Sequence, residues 1–197
     1  MGNKIRKIID YLFYCSIPRK DYNEIKSIIW SRNRRVLRIT SILSTLLGSL
    51  LLVINIIRKN EILMPYILLS VGSLLIFFIV MIFGRKFKNA YFSFAVCYSQ
   101  MVLTIVYAVL LSIQPRNANI PATSVIVFIA LLPISIDDRP IRMYAYMTCE
   151  AIGYLIISSQ AKSPEAFSLD VMNTVTFGII GLIIYSVVCF RNVKEIS

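Results

Sequence analysis

Glu150, an acidic side chain in the middle of an apolar segment, is the residue of this chain that most strongly suggests a chemical role. An ionised carboxylate at that depth of a membrane costs about 3 kcal/mol on insertion scales unless it is protonated, paired or hydrated. Gln100 lies at a comparable depth in another apolar segment that runs in the same direction. We therefore expect the two side chains to hydrogen-bond to each other inside a helical bundle, or to line one small polar pocket.

Three tyrosines in the apolar segments, Tyr107, Tyr154 and Tyr185, could add hydroxyl groups and aromatic walls to such a pocket. Together with Glu150 and Gln100 they are the candidate ligand-binding residues of the sequence. The alternative is that Gln100 and Glu150 form only an interhelical hydrogen bond, which contributes about 1 kcal/mol or less in a membrane. The residues alone leave both interpretations open.

Catalysis and metal binding are not favoured by the residue types present. The chain has no histidine, which removes Ser–His and Cys–His nucleophile pairs and His-ligated metal sites. No phosphate-binding glycine loop and no paired catalytic acids occur in the sequence. We therefore expect a non-enzymatic protein without metal or cofactor. Its four cysteines have no paired or clustered spacing, so neither a disulfide framework nor a zinc site is expected: Cys15, Cys97, Cys149 and Cys189.

The elements that position these residues must be apolar helices. Hydrophobic residues make up 57% of the chain, charged residues only 16%, and the mean hydropathy is +0.73. About 20 apolar residues in a helix cross roughly 30 Å of hydrocarbon with every backbone hydrogen bond satisfied. The sequence therefore predicts an all-α integral membrane bundle of six transmembrane helices. The predicted spans are 37–57, 62–83, 91–113, 122–136, 142–160 and 171–190.

The distribution of basic residues predicts the orientation. Seventeen of the 21 Lys and Arg residues fall in the N-terminal region, the second and fourth loops and the C-terminal tail, and four fall in the other loops. This bias predicts a multi-pass protein of the cell membrane with both termini in the cytoplasm. The domains are then a cytoplasmic juxtamembrane region (1–36), a transmembrane domain (37–190) and a cytoplasmic tail (191–197). The net charge of +11 lies along the membrane surface and does not indicate nucleic acid binding.

The N-terminal region is predicted to form two short amphipathic helices on the inner membrane surface. Basic residues flank its first apolar stripe, which suits an anionic cytoplasmic leaflet. The alternative, in which this helix packs against the transmembrane bundle, is equally open. The stripe consists of residues that recur with helical spacing: Ile5, Ile8, Ile9, Leu12 and Phe13.

A compact charged turn, Asp137, Asp138 and Arg139 followed by Pro140, connects the predicted fourth and fifth spans. A salt bridge from this turn to the arginine-rich segment before the first span is expected. Exposed ion pairs contribute little stability, so we interpret the segment first as a turn and second as a candidate signal relay. Just before it, Pro133 removes a backbone hydrogen bond, and a kink is expected near the end of the short fourth span.

Three segments of the chain carry a family resemblance. The first comprises Asp21-Tyr22-Asn23-Glu24-Ile25, Ile28-Ile29 and Asn33-Arg34-Arg35-Val36-Leu37-Arg38-Ile39. The second runs from Leu132 to Arg142, and the third is Ser168-Leu169-Asp170-Val171-Met172-Asn173. They resemble the juxtamembrane opening, the turn between the fourth and fifth spans and the start of the last span in bacterial signalling proteins. Those proteins carry six spans followed by a cytoplasmic GGDEF diguanylate cyclase domain.

The resemblance implies a membrane-embedded sensory or anchoring input module that acts on a cytoplasmic output domain or protein. It is compatible with a homodimer, because cyclase output in that family generally needs two subunits. No GGDEF signature precedes Ser197, so the family's catalytic and metal residues have no positions here and the chain is expected to be non-catalytic. Two alternatives remain: a small transporter or substrate-binding subunit of an uptake system, with Gln100 and Glu150 as its site, and an enzyme acting on lipid, which the lack of histidine disfavours.

Overall fold

A computed structural model describes residues 2–14, 19–59, 62–84, 86 and 89–196. Within these ranges the chain is helical and contains no strand, which confirms the predicted all-α class. The helices are α1 (Gly2–Tyr14), α2 (Arg19–Ile57), α3 (Met64–Ile82), α4 (Ala90–Ser112), α5 (Thr123–Leu131), α6 (Pro140–Ala161) and α7 (Pro164–Ile196).

Several helices are long and apolar enough to cross a membrane. Four segments meet this criterion in the described chain: Glu24–Ile57, Met64–Ile82, Tyr91–Ser112 and Pro164–Asn192. A shorter apolar stretch covers Thr123–Ser135. The count is therefore lower than the six predicted spans, because α5 is short and α6 carries more polar residues. Large apolar side chains also remain exposed along these helices, as expected where they face lipid, including Leu43, Leu46, Leu50, Leu75 and Ile183.

The juxtamembrane segment differs from the prediction of two separate short helices. The second of these continues without interruption into the first apolar segment, so that α2 runs from Arg19 to Ile57. No proline or glycine occurs between residues 19 and 47 to end the helix. The charged N-terminal half of α2 and its apolar half are therefore one continuous helix.

The interruption expected at Pro133 is present. The α-helix α5 ends at Leu131, and residues Leu132–Ser135 form a 3₁₀ turn with Pro133 near its start. Since proline has no backbone N–H, it cannot continue the α-helical hydrogen bonds. The chain then extends through Ile136 to the charged turn that precedes α6.

Small residues allow the closest helix approaches in the bundle. A Cβ atom added at Gly48 of α2 would lie 2.8 Å from the Ser70 backbone nitrogen of α3. Beside it, the hydroxyl oxygens of Ser49 and Ser70 are 2.7 Å apart. At Gly181 of α7, an added Cβ would lie 2.9 Å from the Ala130 Cα of α5. These glycines therefore serve packing within the bundle.

The first helix, α1, packs against α6 and still exposes part of its apolar stripe. The Tyr11 and Tyr144 hydroxyl oxygens are 3.0 Å apart, and the Arg139 guanidinium lies over the Tyr14 ring at 5.7 Å. Packing on the bundle is thus present, and contact with the membrane surface stays a prediction. The stripe residues that remain exposed are Ile8, Ile9 and Phe13.

Candidate functional site

The turn between α5 and α6 connects α2 to the end of α7 through the side chain and backbone of Asp137. The Asn33 side chain of α2 donates from Nδ2 to the Asp137 carbonyl at 2.7 Å and accepts from the Asp137 backbone N–H at 3.0 Å. The Arg32 Nε lies 3.3 Å from Asp137 Oδ2, which is the salt bridge expected from the sequence. On the other side, Asn192 Nδ2 of α7 donates to Asp137 Oδ1 at 2.8 Å. A single aspartate thus bridges α2 and α7.

The next residue, Asp138, ties the same turn to α4, α6 and α7. The Tyr98 hydroxyl of α4 donates to Asp138 Oδ2 at 3.1 Å, and Arg142 of α6 lies 3.6 Å from Oδ1. The Tyr185 hydroxyl of α7 donates to the Asp138 carbonyl at 2.7 Å. The Cys189 thiol lies 3.6 Å from this carbonyl. We call Asp137, Asp138 and these partners the Asp137–Asp138 cluster.

Both carboxylates of this cluster are buried. Asp137 is 6% exposed and Asp138 is 3% exposed. Loss of hydration raises the pKa of Asp138, against the opposing effects of Arg142 and the Tyr98 hydrogen bond. The third residue of the predicted relay, Arg139, is partly buried and reaches α1 through the Tyr14 ring. The turn that the sequence marked as a relay therefore contacts helices from both ends of the chain.

A second buried network lies at the opposite end of the α6–α7 pair, around Asp170 of α7. Asp170 Oδ2 accepts hydrogen bonds from the Tyr154 hydroxyl and from Ser158 Oγ, the latter at 2.8 Å. Lys162 Nζ lies 3.0 Å from the same oxygen, and both side chains of this ion pair are buried. Asp170 Oδ1 accepts the Ala122 backbone N–H at 2.8 Å. We call these residues the Asp170 cluster; it fixes the loop before α5 to α6 and α7.

Sequence reasoning missed the role of Asp170. The predicted last span began at residue 171, one position too late to include it, and Lys162 was counted only as a loop charge. A usable signal was present, since Tyr154, Ser158 and Lys162 recur every four residues on one face of a helix. A helical row of polar side chains of this kind indicates a buried partner, because it would be costly facing lipid.

Gln100 bonds to α2 and α3, and the predicted pair with Glu150 is not formed. Its Oε1 accepts from Ser41 Oγ at 3.2 Å, and its Nε2 donates to Ser73 Oγ at 3.1 Å. A cavity of about 170 Å³ lies beside it, between α2, α4 and α5, and Thr104 also lines this cavity. Glu150 is not among its lining residues. Gln100 thus acts in a three-helix hydrogen-bond network.

The side chain of Glu150 is partly buried, and its two carboxylate oxygens are buried without a polar partner among the described residues. Neither of its carboxylate oxygens makes a hydrogen bond within the described residues, and the Tyr146 hydroxyl one turn earlier is also unpaired. An unsatisfied buried polar group is costly and needs an explanation. A role of Glu150 in ligand binding remains a prediction.

The three candidate tyrosines lie in three different places. Tyr107 packs edge-on against Tyr66 of α3, with ring centroids 6.0 Å apart. Tyr154 belongs to the Asp170 cluster and Tyr185 to the Asp137–Asp138 cluster. The five residues proposed from the sequence therefore do not line one pocket. A comparable predicted depth does not decide such contacts, because rotation about each helix axis determines which neighbour a side chain meets.

The chemistry available in these clusters is hydrogen bonding and ion pairing. No group of three or more His, Cys, Asp or Glu side chains suited to a metal ion occurs among the described residues. Cys97, Cys149 and Cys189 are free thiols, and Cys15 lies outside the described residues. Comparison of the chain with family models, with curated proteins and with solved structures finds no match.

Proposed function

We propose that this chain is the membrane-embedded input module of a bacterial signalling protein of the diguanylate cyclase type. In this role it is itself non-catalytic, it senses or anchors, and it passes a change in helix position to a cytoplasmic output domain or protein. The family resemblance of the three segments quoted above motivates the choice of output. The hydrogen bonds and the salt bridge that link α2 and α7 through Asp137 support the signalling role.

The observation that carries the proposal is the bridge made by Asp137. It bonds to Asn33 and Arg32 in α2 and to Asn192 near the end of α7. Asn192 is the last residue of the apolar segment of α7, next to the part of the helix that would continue toward an output domain. A shift of α7 relative to α2 must break or rearrange these bonds, as expected for a two-state helix movement.

The proposal keeps six crossings, and its basis is that the chain alternates between the two clusters. α4 has Tyr98 at the Asp137–Asp138 cluster and Ser112, 3.5 Å from the Tyr154 hydroxyl, at the Asp170 cluster. α7 links the clusters through Asp170 and Tyr185. Each of these stretches is about 22 Å long at 1.5 Å per residue. The α7 helix extends beyond its stretch at both ends, and α4 extends beyond Tyr98 toward Ala90 but ends at Ser112.

The remaining segments follow the same alternation. The chain from Ala122 to Asp137 returns through α5, and α6 runs back from Arg142 to Lys162. The α2 and α3 helices form a pair of the same kind. Arg34, next to Asn33 in α2, donates to the Gly84 carbonyl, which lies just beyond the end of α3. The proposal therefore treats α6 as a crossing of the same thickness as α7, with Tyr144, Tyr154 and Ser158 among its polar residues that have partners in the bundle.

The orientation in this proposal puts the Asp137–Asp138 cluster on the cytoplasmic side, with both termini. The basic residues support it, because they concentrate at the end of the bundle that holds this cluster. The Asp170 cluster then lies near the outer surface. A signal received outside would reach the cytoplasm along α7, which contacts both clusters.

A fusion experiment tests the relay. The chain is joined through Ser197, in helical register, to an active GGDEF domain, and cyclic di-GMP is measured in cells. We expect Asn192→Leu and Asn33→Leu each to change output about fivefold or more, because each removes one side of the Asp137 bridge and typical couplings are of this size.

The matched control is Arg191→Ala. Arg191 neighbours Asn192, but its side chain is exposed and pairs only with the exposed Glu195 at 3.8 Å. Its output should equal that of the unsubstituted fusion. If all three variants, at equal membrane levels and with equal thermal stability, gave the output of the unsubstituted fusion, the relay would be rejected.

A further inference from the structure

A cavity next to the Asp170 cluster differs from two apolar grooves on the bundle. It has a volume of about 310 Å³ and lies between the start of α3, the end of α4 and the start of α5. Its polar lining residues are Tyr66, Ser112, Arg116, Asn117, Thr123 and Ser124. The grooves of about 560 Å³ between α3 and α4 and about 260 Å³ between α6 and α7 are lined almost wholly by apolar side chains. Those grooves suit lipid chains, whereas this cavity suits a polar molecule.

The polar groups that line this cavity are mainly unused donors. Arg116, Thr123 and Ser124 are exposed to solvent, and within the described residues neither the Arg116 guanidinium nor the two hydroxyls make an ion pair or a hydrogen bond. The α5 helix begins here without a cap from its own N-cap side chain. The N–H groups of Ala122 and Thr123 are already bonded to the Asp170 carboxylate and the Pro121 carbonyl, so the positive end of the helix makes only a small contribution. No acidic residue lines the cavity. The electrostatic character of the site therefore favours an anion.

The nearest acid is already neutralised. Asp170 lies behind Ala122, where its carboxylate is paired with Lys162 and hydrogen-bonded by Tyr154 and Ser158. It therefore does not cancel the charge of Arg116. The loop that carries Arg116 also contains Gln114, which is 5% exposed and whose amide atoms have no partner among the described residues. Gln114 is not among the residues that line the cavity, so this capacity belongs to the neighbouring part of the loop.

We propose that this cavity binds a small water-soluble carboxylate, with Arg116 pairing with the carboxylate and Thr123 and Ser124 donating hydrogen bonds to it. A guanidinium presents two parallel N–H donors that match the two oxygens of a carboxylate. The volume lies at the lower end of the range for small-molecule sites. The occupant would touch Pro121 and Ala122, and Ala122 is held by Asp170 of α7, so binding acts on the helix that leads to Asn192.

Only the outward position of the cavity rests on the proposed orientation. Binding is measured on the purified chain without any fusion, so a failure of binding and a failure of the relay are separate results. The probes are sodium pyruvate and sodium acetate, each compared with sodium chloride at equal ionic strength. At ten times the dissociation constant, we expect the thermal unfolding temperature in detergent to rise by about 3 °C.

Substitutions then locate the site. Arg116→Ala should abolish the shift, and Arg116→Lys should keep part of it, because lysine retains the charge without the two-donor geometry. Arg58→Ala, an exposed arginine after α2 that does not line the cavity, should leave the shift unchanged. The unliganded unfolding temperatures of all variants show whether each is folded.

Two further experiments test whether phosphate or an anionic lipid, and not a carboxylate, occupies the cavity. Inorganic phosphate is added to the detergent sample, and nanodiscs of phosphatidylglycerol are compared with nanodiscs of phosphatidylcholine. A larger shift with phosphate or with phosphatidylglycerol than with either carboxylate would overturn the assignment. So would the absence of any shift with both carboxylates, or a shift that survives in Arg116→Ala.

Discussion

At the residue scale, the polar side chains inside this bundle divide into those with partners and those without. Gln100 bonds to Ser41 and Ser73 and thereby joins three helices. Glu150 has the more costly functional group, yet neither of its oxygens has a partner within the described residues. Residue type therefore identifies a polar group inside a membrane segment, and only its surroundings decide whether that group adds or removes stability.

Substitution by leucine should separate the two cases. Gln100→Leu should lower the free energy of unfolding by about 1 kcal/mol, because it removes interhelical hydrogen bonds. Glu150→Leu should raise it by about 1 kcal/mol, because it removes an unsatisfied buried carboxyl group. Denaturation of the purified protein in mixed micelles measures both changes.

The control for shape is Glu150→Gln, which keeps the size and leaves an unpaired polar group. Its free energy of unfolding should stay closer to that of the unsubstituted protein than the value for Glu150→Leu does. A loss of stability in Glu150→Leu as large as that in Gln100→Leu would show that the carboxyl has a partner and would contradict this assignment.

At the element scale, the buried ion pair between Lys162 and Asp170 holds together the end of α6, the start of α7 and the loop before α5. Lys162 Nζ also donates to the Ile120 carbonyl at 2.8 Å, and Asp170 accepts the Ala122 N–H. The pair thus fixes two points of one loop. Removing one member leaves the other buried without its counter-charge.

A double-mutant cycle should show this coupling. Lys162→Met and Asp170→Asn should each cost about 3 kcal/mol of unfolding free energy, as is usual when one partner of a buried pair is lost. The double variant should be less destabilised than the sum of the two, since no uncompensated charge remains. Unfolding in mixed micelles gives the four values.

Arg191→Ala supplies the matched control for this cycle, because the Arg191–Glu195 pair is exposed and spans one helical turn. Its cost should be about 0.5 kcal/mol or less. Strictly additive effects of Lys162→Met and Asp170→Asn would mean that the two side chains do not interact, which the buried contact does not allow.

At the scale of the whole molecule, the two clusters lie at opposite ends of the bundle. The basic residues of the chain are distributed unequally between the same two ends. The Asp137–Asp138 cluster adjoins the basic segment of α2, and the Asp170 cluster adjoins the loops with few basic residues. The proposed orientation follows from this asymmetry. It also fixes which cluster can meet an external ligand and which can meet an output domain.

Cysteine labelling should confirm this orientation. In a background with all four native cysteines replaced by alanine, Asn119→Cys should react with a membrane-impermeant maleimide in intact cells, because Asn119 is exposed next to the Asp170 cluster. Arg191→Cys should react only after the membrane is permeabilised. Labelling of Arg191→Cys in intact cells would reverse the orientation and place the relay outside.

Much of the fold could be predicted from the amino-acid composition and the spacing of apolar residues, while most of the candidate site could not. The all-α class, the change of helix type at Pro133 and the salt bridge from the Asp137–Asp138 turn to the arginine-rich part of α2 follow from local chemistry. The pairing of Gln100 with Glu150 was wrong because depth in a bundle does not determine which face of a helix is turned toward which neighbour. Asp170 was missed because its partners come from α6 and from the loop before α5.

By itself, the sequence determined that apolar helices make up this protein, since their length and hydropathy are local properties that any lipid-facing helix must have. It also determined which few polar groups they carry. Only the tertiary structure decided the partner of each group, because hydrogen bonds across a bundle depend on helix rotation and register, which are set by close contacts such as those at Gly48 and Gly181. The bridge from α2 through Asp137 to α7 exists only when three distant segments have packed together.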